Sequence, residues 1–133
     1  MTSSTPIRTP LALIRAAMLG GVLLFGAVCW YTLRQRGGGA LPGVDPAALS
    51  VLRIVVPILG FAALAVAIAL RVVIARTPDE ARRNSLRIIA WASGEAAALA
   101  GGVYFFELGD PKLYLIGTTA MLATFIVVPI REV

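Results

Sequence analysis

The sequence predicts an all-α, polytopic membrane protein: one domain over 1–133, with four transmembrane helices in an antiparallel bundle and both termini in the cytoplasm. Three observations lead there. Of 133 residues, 59% are hydrophobic and 14% charged, with mean hydropathy +0.87, whereas soluble domains run at about half apolar and about a quarter charged. The apolar residues gather in four blocks, Leu11 to Leu33, Ile54 to Leu70, Ile88 to Phe106 and Leu113 to Ile130. Each is near the roughly 20 residues that cross about 30 Å of hydrocarbon. The blocks are continuous rather than alternating, which selects helices over a barrel, the other structure that satisfies every backbone polar group in lipid.

Each span opens on an oxygen-bearing residue followed by proline: Thr9-Pro10, Asp45-Pro46, Thr77-Pro78 and Asp110-Pro111. The oxygen accepts from a free N–H of the first turn, and proline gives up an N–H that had no partner. The predicted spans are approximately 10–34, 46–75, 78–107 and 111–131. Leu11 to Leu33 is too long for a signal-peptide core and is read as a retained helix. Pro57 should bend the second span by removing a backbone bond. Thr77 and Glu80 form a capping-box pattern for the third. The first connection, Arg34 to Ser50, carries Gly37, Gly38, Gly39, Pro42 and Gly43 and reads as a flexible turn without its own core. The short connection Leu108-Gly109 makes the third and fourth spans antiparallel neighbours.

Arginine placement sets the orientation. Arg8, Arg15, Arg71, Arg76, Arg82, Arg83, Arg87 and Arg131 fall on the side of the termini, against Arg34, Arg36, Arg53 and Lys112 on the other. This bias puts both termini in the cytoplasm. The net charge of +5 is then a matter of topology and of attraction to the lipid bilayer, and no aromatic-interleaved basic patch points to nucleic acid. With one cysteine, Cys29, and no histidine, no intrachain disulfide, metal site or cofactor is expected. Trp30, Tyr31, Tyr104, Phe105, Phe106 and Tyr114 are expected to form an outer interfacial aromatic belt.

Two features of the third span suggest function. Ala90, Gly94, Ala98 and Gly102 recur at spacing four and offer a close-packing strip, either within the bundle or to another subunit. Ala17 and Gly21 on the first span, and Ala62, Ala65 and Ala69 on the second, are its expected counterparts. Glu95 stands within an apolar run, where an ionisable side chain is a functional candidate by default. Arg15 from the first span and Thr124 from the fourth lie at matching depth. Three readings stay open: an Arg15–Glu95 link, a protonated hydrogen-bonded carboxyl, and a carboxyl that binds and releases protons or ions. No nucleophile, base and orienting group can be assembled, so catalysis is not expected.

Ile88 through Gly109 read IIAWASGEAAALAGGVYFFELG. Glu95, Ala96, Ala98, Gly101 and Val103 locally resemble the carboxylate helix of the rotary ATPase proteolipid, the c subunit. That resemblance implies an ion-carrying Glu95 and a ring of copies. Neither preceding span carries the glycine repeat of those proteins; Gly20, Gly21 and Gly26 are not that repeat. A longer stretch, with Arg87, Ile88, Ile89, Trp91, Ala92, Glu95, Ala98, Leu99 and Gly101, resembles a family of small bacterial four-helix membrane proteins of unassigned function. Taken together, the expectation is a non-catalytic, multi-pass protein of the bacterial cytoplasmic (inner) membrane, an accessory or scaffold subunit associating with other membrane subunits or with itself. The alternative is a proton- or ion-translocating protein that uses Glu95.

Overall fold

The computed structural model of the chain describes residues 8–130. Every regular element among them is helical: α1 (Arg8–Gln35), the single-turn α2 (Pro46–Leu49), α3 (Leu52–Arg76), α4 (Glu80–Leu108) and α5 (Lys112–Val127). Leu11–Gln35, Pro46–Arg76 and Glu80–Leu108 are long and apolar enough to cross a membrane. The fourth is a correction. Its helix stops at Val127, with Val128 at φ −115° and ψ 84°, because Pro129 disfavours the α conformation in the residue before it. Its 16 residues reach about 24 Å at 1.5 Å each, short of a full hydrocarbon thickness. Arg131 and the predicted end of this span lie outside the described residues.

Local chemistry explains the other boundaries. Asp45 caps α2, its carboxylate accepting from the Ala47 N–H at 3.0 Å with Pro46 in the first turn. The predicted continuous second span tightens at Ser50, whose hydroxyl and N–H both donate to the Ala47 carbonyl. The backbone there stays right-handed, with Arg53 and Ile54 donating three residues back, so α2 and α3 follow one another through a 3₁₀-like joint. At the next turn the cap is Asp79, accepting from Ala81 N–H, and not Thr77. The Thr77 hydroxyl donates backwards to the Val73 carbonyl at 2.7 Å, so the predicted capping box does not form. Gly109 closes α4 in the left-handed region at φ 81° and donates to the Phe105 carbonyl, the geometry glycine reaches without a Cβ penalty.

The first connection is not the loose turn its glycines suggest. Leu41 N–H donates to the Glu107 carbonyl at 2.8 Å, and Arg36 donates to the Phe106 and Gly39 carbonyls with its guanidinium 5.6 Å from the Phe106 ring. The last carbonyls of a helix lack intrahelical donors. Here the loop supplies them.

The core is organised on α4, which packs against α5, α3 and α1, while α1 meets α5 mainly through side chains, at Arg15–Phe125 and Tyr114–Val22. The α4–α5 contact is made backbone to backbone. A Cβ on Gly101 would overlap the Leu113 carbonyl, and one on Gly117 the Ala97 carbonyl. Small residues are what permit such approach in lipid, where packing rather than water exclusion drives association. On α3 the inward face is Val56, Gly60, Ala63, Ala67 and Ile74. The expected Ala62, Ala65 and Ala69 are exposed.

The aromatic belt also needs correction. Trp30 and Tyr31 are exposed, at 57% and 63%, but Tyr104, Phe105 and Tyr114 are buried. The Tyr114 hydroxyl donates to the Val22 carbonyl at 2.7 Å, and its ring lies 5.8 Å from that of Phe105. The Tyr114 ring fills the space that Gly26 leaves open. Tyr104 is covered by α3, and its hydroxyl accepts from Arg53 Nε at 2.7 Å.

Candidate functional site

Arg15, Trp91 and Phe125 cluster where the first half of α4 meets the end of α5 and the first turns of α1. Trp91 is fully buried there. Its Nε1 donates to the Val128 carbonyl at 2.8 Å, and its ring meets Phe125 edge-on, with centroids 5.9 Å apart and planes at 86°. That arrangement suits the ring quadrupoles.

Arg15 reaches this cluster from α1. Its Nη1 donates to the Phe125 carbonyl at 3.4 Å, and its guanidinium carbon stands 5.3 Å from the Phe125 ring and 5.9 Å from that of Trp91. The electron-rich ring faces attract the cation. The long aliphatic stem lets the charged head be held while the chain lies against apolar neighbours.

Arg15 and Glu95 were expected to meet, and they form no ion pair. Glu95 is half-buried rather than buried, on the flank of α4 beside the Trp91–Ala98–Gly102 face, and its carboxylate has no hydrogen bond or ion pair among the described residues. Thr124 is fully buried, but its hydroxyl donates to the Met121 carbonyl at 2.7 Å, satisfying itself within its own helix turn. The three residues are therefore at one end of the bundle without forming one hydrogen-bonded group.

The four strip residues are all buried. Gly94 faces Met121 and Thr124, where a Cβ would come within 2.7 Å of the Met121 Cα, and Gly102 faces the Phe25 ring. The Cys29 thiol lies 3.7 Å from the Gly102 carbonyl. The strip is thus used within the chain. Its expected counterparts on α1, Ala17 and Gly21, are not involved: Ala17 is exposed, and nothing approaches a Cβ on Gly21 within 4 Å.

Sequence reasoning missed Trp91, Phe125, Gly101 and Gly117 as the residues that join α4 to α5. The signal for Gly117 was present, a glycine inside an apolar helix, but glycine marks a close approach without saying to what.

No family model, no curated protein and no solved structure matches this chain.

Proposed function

We propose that this chain is a non-catalytic integral membrane protein of the bacterial cytoplasmic membrane, an accessory or scaffold subunit of a larger membrane complex. In this reading its long helices α1, α3 and α4 cross the membrane in antiparallel order, and the shorter apolar α5 returns the chain to the side where it began, with both termini cytoplasmic. The arginine bias toward the Arg71–Arg87 side supports that orientation. One observation carries the proposal: α1 keeps an unused small-residue surface, Ala17, Gly20 and Gly21, while the strip on α4 is consumed inside the bundle. A glycine inside a helix costs about 1 kcal/mol relative to alanine. Two in succession with open space around them suit close approach by a helix from another subunit.

The test is Gly21→Leu in the native membrane. A docking surface on α1 predicts normal folding and loss of co-purifying subunits. Unchanged co-purification would remove α1 as the contact.

A second reading, proton or ion translocation, is favoured by one feature. Glu95 lies inside a candidate span and has no hydrogen-bond or ion-pair partner among the described residues. An intramembrane carboxyl of that kind is a proton-relay candidate. It ranks second because no second titratable group stands with Glu95 on the Trp91–Ala98 flank of α4, from Ile88 to Gly102.

A further inference from the structure

A groove of about 530 Å³ runs between the first turns of α1 and the last turns of α5, its lining including Ala12, Arg15, Ala16, Leu19, Leu122 and Phe125. It exists because the α1 backbone lies closer to α4 than to α5, which it meets through side chains such as Arg15 and Tyr114. Every lining side chain except one is apolar.

The exception is the cation of Arg15. A guanidinium has five N–H donors. Arg15 directs one of them to the Phe125 carbonyl and lies beside two rings, but no carboxylate among the described residues pairs with it. An arginine in an apolar setting calls for a counter-charge or several acceptors. Phosphate matches its planar fork better than any other common anion of a bilayer.

We propose that this groove is the binding site for one anionic phospholipid of the leaflet on the side of the chain termini. Its phosphate sits on Arg15, and one acyl chain lies along Ala16, Leu19 and Leu122. Charge complementarity selects the headgroup and the apolar wall selects a lipid over a free anion. The proposal rests on α1 spanning the membrane and is independent of the accessory-subunit reading.

Native mass spectrometry of the protein in mild detergent tests it, with phosphatidylglycerol and phosphatidylcholine of identical acyl chains as probes. One phosphatidylglycerol should be retained in preference to phosphatidylcholine. Arg15→Gln should weaken that retention about tenfold, the loss of one charge-assisted contact. Arg82→Gln, an exposed arginine outside the groove, should not. Ala16→Phe fills the groove from an exposed position while keeping Arg15, and should likewise weaken retention, so the test stands even if Arg15→Gln does not fold. Equal retention of the two lipids, or unchanged retention in both groove variants, overturns the proposal. Displacement of phosphatidylglycerol by an equal concentration of inorganic phosphate also overturns it, because the site would then be one for a free anion.

Discussion

Trp91 Nε1 donates to the carbonyl of Val128 at 2.8 Å, across the junction where α4 begins and α5 ends. Val128 is the residue that Pro129 forces out of the helix, so its carbonyl has no donor from a following turn. The indole supplies that donor in a fully buried position. Trp91→Phe keeps most of the volume and leaves the carbonyl unmet, which should destabilise the fold by about 1–3 kcal/mol. Trp30→Phe, at a residue 57% exposed, should change stability by less than about 0.5 kcal/mol. Thermal unfolding in one detergent compares them.

Glycines along the bundle should divide sharply under alanine substitution. At Gly101 and Gly117 the new Cβ meets a backbone carbonyl that cannot step aside, and overpacking of this kind costs about 1–3 kcal/mol or more. At Gly20 it meets nothing within 4 Å, and the helix gains up to about 1 kcal/mol. Unfolding midpoints that fall for Gly20→Ala as far as for Gly117→Ala would contradict the packing described.

The pinned first connection makes a separate prediction. Arg36→Met removes the donors to Phe106 and Gly39, leaving the Leu41 to Glu107 bond, among hydrogen bonds of the described residues, to hold the loop on α4. Limited proteolysis should then cut between residues 37 and 45 several times faster, with the helical circular dichroism unchanged. Equal cleavage rates would mean that the loop is held by other contacts.

Glu95→Gln removes a charge that no described residue pairs with. Its unfolding midpoint should therefore match wild type within about 0.5 kcal/mol. In the native membrane the accessory reading predicts unchanged ion flux. Normal assembly with lost ion transport would instead favour the translocation reading.

How much of this could be read from the sequence differs from element to element. Hydropathy carried the helical class, and Asp45-Pro46 located a cap correctly because both residues act within their own turn. Thr77 failed as a cap because its hydroxyl had a nearer acceptor in the turn behind it. The face of α3 was phased wrongly, Ala62, Ala65 and Ala69 instead of Gly60, Ala63 and Ala67. A span apolar on every side has no polar face to set its rotation. Arg15 was matched to Glu95 on charge and depth. In the structure a carbonyl and two rings hold the guanidinium, and neither kind of partner leaves a mark that distinguishes it from ordinary core residues. The α4 strip was legible at Ala90, Gly94, Ala98 and Gly102, whereas whether it faced inward or outward needed the positions of α5 and α1.

The central claim, that this bundle serves as a subunit among others, is tested most directly by the native mass and identified components of the protein extracted in mild detergent from its own membrane. The account predicts stoichiometric, unrelated membrane subunits that are lost with Gly21→Leu. A ring built only of copies of this chain would contradict it and would move Glu95 to the centre of an ion-translocating mechanism.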